Sequence, residues 1–291
     1  MSSPATSAAI SHAVQDGFGA RVVSCEVRPH AYATSHALVD AEAKLDDGRS
    51  IRLVVKEAGA RLPGRPLFVH RADREAEVYR QLLLPAGSWA PRLLGTLGPT
   101  VVLEWLPGIP LWQCEVGGAA SLLGKRIREM HDALAARVNA PFLLQYDRAF
   151  FERWFHRACH LEPAVAELAD VHAIAVARLL REPRVVLHGE LYPSNILVDG
   201  DAVAIVDWEG AAAGPAVIDL AALVTGWPDL HVETLLGAYG DVDAVALDCA
   251  RLHLALRWLG WSRDWTPPRE HARDWWAEAK GAAERITKEA V

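Results

Sequence analysis

Between Val185 and Glu209 the sequence collects side chains that share one chemistry. Glu190, in His188-Gly189-Glu190, is followed five positions later by Asn195, and Asp207 comes twelve positions after that. Asn195 and Asp207 offer hard oxygen ligands of the kind Mg²⁺ takes, and Glu190 stands where a general base would meet a hydroxyl. Phosphoryl transfer needs such a set: metal to neutralise phosphate charge, a carboxylate to orient the attacking hydroxyl, and fixed geometry. A structural hairpin decorated with surface acids would account for neither the order nor the spacing.

Residues with such roles need rigid neighbours. Three short apolar runs, 185–187, 196–198 and 203–206, with the Asp199-Gly200-Asp201 turn, read as strands around the polar positions. Upstream, Val39, Ala41, Ala43 and Leu45 alternate with Asp40, Glu42 and Lys44. A turn at 46–50 and the run 51–56 complete an expected β-hairpin that ends in Lys56. Residues 70–84 read as a helix with Ala72, Ala76, Tyr79, Leu82 and Leu83 on one stripe. Two further strands are expected at 92–96 and 101–105, and Leu106–Pro110, dense in turn formers, reads as the connector between two lobes. Beyond it the period is helical, with Leu122, Leu123, Ile127, Met130 and Leu134 on one helix and one or two more over 149–181. The expected architecture is α+β: an N-terminal lobe, 1–107, with an antiparallel sheet and a helix, and a larger, mainly helical lobe, 108–291.

Taken in order, these motifs resemble the aminoglycoside phosphotransferase and choline kinase superfamily, which has the protein-kinase-like fold. His-x-acid-x4-Asn matches the kinase catalytic loop, and Asp207 falls at the metal-binding Asp. The His-Gly start and Asp207-Trp208-Glu209 are similar to the small-molecule branch, and the likeness runs from about residue 21 to 225. It implies a nucleotide-binding N-terminal lobe, a C-terminal lobe with the catalytic loop and acceptor site, ATP or GTP with Mg²⁺ as cofactors, and γ-phosphate transfer to a hydroxyl. The acceptor implied is a small molecule: an antibiotic, an amino sugar or a biosynthetic intermediate. Lys56 would position the α/β-phosphates, held by Glu75, 19 residues on. Glu104, Trp105 and Leu106 would form the adenine hinge, Asn195 and Asp207 would hold the metal, and Glu190 would be the catalytic carboxylate. Asp219 would support the loop from behind, and His188 and His131 would pack or cap rather than react. Glu209 would aid the metal or meet the acceptor.

Two departures qualify the likeness. The catalytic-loop acid is normally Asp, and the extra methylene of Glu190 shifts its carboxylate by about one bond length, where about 1 Å of misplacement can cost on the order of 100-fold in rate. Slow turnover, an acceptor seated further away, and a kinase-fold binding or regulatory module without transfer all follow from that change, and a peptide Ser/Thr acceptor is a further alternative. There is also no glycine between Ala20 and Asp47, so the turn with Thr34 and Ser35 is expected to meet the phosphates in place of a Gly-rich clamp.

The composition fits this reading: 51% hydrophobic and 23% charged residues exclude disordered and collagen-like chains. A net charge of −7 argues against general nucleic-acid binding. Cys25, Cys114, Cys159 and Cys249 are too scattered for a zinc or redox motif. No secretion signal or membrane span is expected, so the protein is placed in the cytoplasm without membrane or nucleic-acid partners, as a monomer or homodimer. Trp258, Trp261 and Trp265, with Trp275 and Trp276 after them, read as helix packing or as an aromatic wall for a cationic or planar acceptor. Glu162, Glu167 and Asp170 read as a solvated helix face or as a lure for a polyamine.

Overall fold

The structure, a computed structural model, describes residues 4–30, 37–57, 66–84, 89–261 and 269–289. They form two compact units. One holds the described residues up to 57, 70–108 and, in addition, 204–209; the other holds 66–69, 109–203 and the remainder of the chain. The expected lobes, 1–107 and 108–291, had no such return. Bonds of its backbone amides make it: the Ile205 N–H donates to the Trp89 carbonyl (2.6 Å), and the Trp208 N–H donates to the Glu75 side chain at Oε1 (3.2 Å).

In the first unit, α1 (Pro4–Phe18) precedes β1 (Val22–Pro29), β2 (Ala37–Leu45) and β3 (Ser50–Glu57). Then come α2 (Arg74–Val78), continued by a π turn Tyr79–Leu83, and β4 (Leu93–Leu97) and β5 (Thr100–Glu104). The strands make an antiparallel sheet in the order β1-β2-β3-β5-β4. Alternation along them places Ala41, Ala43, Leu45, Leu53, Val55 and Val102 in a core with Ala9, Ile10, Ala13 and Val14 of α1. Lys56, one residue past Val55, is thereby turned to the opposite face. The sequence reading had not foreseen α1; its i, i+1, i+4, i+5 stripe from Ala9 to Val14 was the available signal. Gly95 allows the helix to sit this close, because a Cβ there would lie 2.7 Å from the Ala13 Cβ.

The second unit carries the short β6 (Ile109–Pro110), inside the stretch expected to be a plain connector, and the helix α3 (Val116–Leu134). After β7 (Leu144–Gln145) come α4 (Arg148–Leu161) and α5 (Ala169–Leu179), the two helices expected over 149–181. Next are β8 (Arg184–Leu187), β9 (Ile196–Asp199), β10 (Ala202–Ile205) and β11 (Ala212–Pro215). The three apolar runs expected around the polar segment do not share a sheet: β9 and β10 join β6, whereas β8 pairs with β11, which also pairs with β7. Four helices close the chain: α6 (Val217–Val224), α7 (Asp229–Tyr239), α8 (Ala244–Leu259) and α9 (Trp275–Glu289). Asp147 and Asp243 cap α4 and α8 by accepting the Phe150 and Ala246 amides at 2.8 and 2.6 Å.

Helix α8 packs against α4, α5, α6 and α9, so nearly all of its sides are buried, His253 and Arg257 included. It ends at Leu259, and the tryptophans expected on one helical stripe part there. Trp258 stacks on Trp275 (centroids 5.2 Å apart), and Trp261 stacks on Trp154 (5.8 Å). Trp265 lies outside the described residues. No helix among the described residues is long and apolar enough to cross a membrane.

Two predictions follow from this packing. Gly95→Val should destabilise the protein by about 1–3 kcal/mol, because the helix must back away from the sheet; denaturant titration measures this, and an unchanged midpoint would contradict the α1 packing. His172 stacks on Phe155 (4.3 Å), and burial pushes its imidazole down to about 4. A base whose folded value lies below its unfolded value binds fewer protons in the native state, so its stability contribution is whole above about pH 6.5 and drains as pH falls towards 4. His172→Phe keeps the stack and removes the proton site, so its melting temperature should fall less than the wild type's across that window; parallel profiles would refute the assignment.

Candidate active site

In the first unit one ammonium meets three carboxylates. Lys56 at the end of β3 is 5% exposed and lies 2.5 Å from Asp207 Oδ1, 2.8 Å from Glu75 Oε2 and 3.7 Å from Glu209 Oε2. Burial alone would strip its proton, but Asp207, Glu75 and Glu209 outweigh that and hold it well above the ordinary lysine range. Glu75, 1% exposed on α2, is driven up by burial and by its acidic neighbours against the pull of Lys56. Arg74 donates to the Glu209 carbonyl (2.8 Å) and so ties the 204–209 segment to α2 from a second side.

Asp207 is the non-glycine residue with positive φ among the described residues, at 66°. That conformation costs on the order of 1 kcal/mol and persists only when its surroundings fix it. Here they do, through the Trp208 amide on Glu75 and the Lys56 ion pair. Oxygens of Glu75, Asp207 and Glu209 lie within 4.8 Å of one another, a hard-ligand set of the kind a divalent cation takes.

In the second unit the loop after β8 is braced from below. Asp219 at the start of α6, fully buried, accepts the His188 and Gly189 amides at 2.7 and 2.8 Å. His131 of α3 faces Asp219 through Nε2 (3.3 Å) and Tyr239 Oη through Nδ1 (2.9 Å). A carboxylate can only accept, so Nε2 carries a proton towards Asp219. Gly189 has φ 80°, and a Cβ there would run into the Gly210 carbonyl oxygen, which is why a glycine precedes the acid.

Glu190 has a partner that the sequence reading missed. Arg257 of α8, 7% exposed, donates to the Gly189 carbonyl (2.8 Å), the Tyr146 hydroxyl (3.0 Å) and Glu190 Oε1 (3.1 Å). The available signal was an arginine set between Leu254-Ala255-Leu256 and Trp258-Leu259, on a helix that also carries Asp248, Arg251 and His253. The Asn195 amide nitrogen donates to the Glu190 carbonyl (2.8 Å), leaving Oδ1 as its candidate ligand atom. Burial pushes the Tyr192 phenol up, with Arg257 opposing and Glu190 adding, so it stays protonated.

The remaining expected residues sit apart from these charges. Glu104 ends β5, and its carboxylate accepts the Arg92 amide (2.9 Å). The Trp105 amide is used by the Arg52 carbonyl (3.2 Å), and the Arg52 guanidinium covers its ring at 3.3 Å. Leu106 follows on the strand's exit. Thr34 and Ser35 lie outside the described residues.

Set beside known proteins, the sequence matches the phosphotransferase enzyme family over residues 42–255, and the chain belongs to that family. That makes it a small-molecule phosphotransferase with the kinase-like α+β fold. A macrolide 2′-phosphotransferase from Brachybacterium faecium has the same fold, at 18% identity over 97% of both chains (TM-score 0.63). A choline kinase from Streptococcus pneumoniae is 18% identical over 96% of both chains (TM-score 0.60). A spectinomycin phosphotransferase, solved with ADP and spectinomycin, is 12% identical over 96% of both chains (TM-score 0.52). No curated protein is significantly similar in sequence.

Removing the ammonium should leave Glu75 and Asp207 without their nearest cation. Lys56→Met is therefore expected to lose about 3–5 kcal/mol of stability, the cost of breaking a buried pair from one side. A Lys56→Met/Glu75→Met double variant should recover part of it. Urea unfolding reads both; an unperturbed single variant would show that the cluster is not held as described.

Proposed function

We propose that the protein transfers the γ-phosphate of a nucleoside triphosphate, ATP or GTP, to a hydroxyl of a small molecule. The observation that carries this reading is the buried Lys56, ion-paired at once with Glu75 and Asp207, with Asp207 held at positive φ. Lys56 placed and charged in this way suits the α/β-phosphates. Glu75 and Asp207 keep it charged despite burial. The Asp207 carboxylate, with a Glu75 oxygen close by, fits Mg²⁺, which when bound would neutralise charge on the phosphates. Glu209, 3.7 Å from Lys56, adds a further oxygen to that set. The backbone from Glu104 to Leu106 remains the candidate for adenine, with the Glu104 and Trp105 amides already committed to the Arg92 and Arg52 carbonyls.

Glu190 would accept or orient the acceptor's hydroxyl proton, and Arg257 decides where its carboxylate stands. A guanidinium 3.1 Å from Oε1 pulls the longer side chain back and fixes its rotamer, which offsets the extra methylene. Glu is on this account a fitted length rather than a damaged Asp, and a binding module without transfer is the weaker reading.

The test is acceptor-dependent ADP or GDP release by the purified protein with Mg²⁺, against pooled amino sugars, macrolides, amino alcohols, nucleosides and aromatic alcohols. Asp207→Asn should lower turnover at least about 1000-fold. Glu190→Asp, which moves the carboxylate away from Arg257, should lower kcat on the order of 10- to 100-fold with little change in nucleotide KM. Wild-type rates equal to Asp207→Asn across the whole panel would overturn the reading, and a faster Glu190→Asp would overturn the fitted-length argument.

A further inference from the structure

Among the described residues of the first unit, two buried side-chain polar atoms take part in no hydrogen bond, and they belong to residues one helical turn apart. One is an acceptor, Glu75 Oε2; the other is a donor, Tyr79 Oη. Their side chains share a face of the helix, because the Tyr79 N–H donates to the Glu75 carbonyl and residues four apart on a helix are neighbours. Both residues are 1% exposed, so bulk water satisfies neither atom.

Buried polar groups are nearly always paired, and one left unpaired carries its full desolvation cost. A donor and an acceptor left open together in one buried place therefore need a physical reason. The other oxygen of Glu75 is committed, since Oε1 accepts the Trp208 amide (3.2 Å). Oε2 lies 2.8 Å from Lys56 Nζ as an ion pair without hydrogen-bond geometry. The Tyr79 phenol is protonated, and burial pushes it well above its usual range, with Glu75 and Asp207 adding and Lys56 opposing. The hydroxyl thus stands within electrostatic reach of the Lys56 cluster and has a proton to donate to it.

Tyr79 also sits where the helix changes its winding. Helix α2 ends at Val78, and Tyr79 opens the π turn, in which its carbonyl accepts the Leu84 amide five residues on. Such turns occur frequently at functional sites. A small change of winding at this point moves the Tyr79 ring relative to Glu75.

Resting on the phosphotransferase reading, we infer that Tyr79 is a positioning residue of the nucleotide site, whose hydroxyl donates to Glu75 Oε2 once the Lys56 ammonium is shared with nucleotide phosphates. In the ligand-free protein Lys56 supplies the charge that Oε2 faces. Once the ammonium is shared, that contact weakens, and a carboxylate oxygen so deeply buried cannot turn to bulk water instead. The phenol O–H one turn along takes over. Glu75 then keeps its place, and with it the Trp208 amide and the return segment that carries Asp207.

The test is Tyr79→Phe, which keeps the ring and removes only the hydroxyl, read in two ways on the full chain. Urea unfolding of the ligand-free variant should give a midpoint equal to or above the wild type's, since the group removed has no partner to lose. Calorimetric titration of non-hydrolysable ATP and GTP analogues with Mg²⁺ should show binding weakened about tenfold, the loss expected of one hydrogen bond to a charged group. A ring that served packing alone would leave nucleotide binding unchanged, because phenylalanine packs as well. A lower urea midpoint would show that the hydroxyl is already bonded in the ligand-free protein and would overturn the inference. Nucleotide binding equal in wild type and Tyr79→Phe overturns the positioning role alone, whereas a wild type that binds neither analogue overturns the phosphotransferase reading together with it.

Discussion

The first unit depends on a single buried ammonium. Bringing Lys56 out of water carries a desolvation cost of several kcal/mol, and only the three carboxylates around it make the charged form tolerable. Each partner comes from a different stretch of chain: Glu75 from α2, Asp207 and Glu209 from the segment that returns to this unit late in the sequence. The lysine therefore fixes the register of β3 against α2 and the return segment together. Oxygens of Glu75, Asp207 and Glu209 lie within 4.8 Å of one another, so the set that organises the unit also offers hard ligands to a divalent cation.

The second unit solves a different problem, holding a polar loop rigid through buried hydrogen bonds. Asp219 takes two consecutive backbone amides, His131 and Tyr239 complete its surroundings, and Arg257 clamps the next carbonyl and the Glu190 carboxylate. Every one of these groups is buried or nearly so, where hydrogen bonds are strong and unmade ones costly. Preorganisation of this kind is what phosphoryl transfer draws on, because positioning and electrostatics supply most of its acceleration.

Much of this was legible in the sequence where chemistry and local period coincide. Lys56, Glu75, Glu190, Asn195, Asp207 and Asp219 announce themselves by type and spacing, and the 39–56 hairpin by strict alternation. What escaped was long-range. Arg257 carries no motif, and its meaning appears only when α8 is packed on all sides and its guanidinium has nowhere to go but the loop. The return of 204–209 to the first unit depends on bonds to Trp89 and Glu75 that sit over 100 residues away, which no local pattern encodes. The tryptophan stripe failed for a similar reason: the helix ends at Leu259, so 3.6-residue periodicity stops applying before Trp261. Helix α1 was missed because an Ala- and Ser-rich amphipathic segment gives a weak signal until the sheet that buries it is in view.

The most direct measurement of the central claim is calorimetric titration of a non-hydrolysable ATP analogue into the wild type and into Glu75→Gln, each with and without Mg²⁺. The account expects binding that strengthens with Mg²⁺ in the wild type and weakens about tenfold or more in Glu75→Gln, whose Lys56 is no longer held. Binding that ignores Mg²⁺ and is equal in the two proteins, or no binding at all, would contradict the assignment of the Lys56 cluster to nucleotide phosphates.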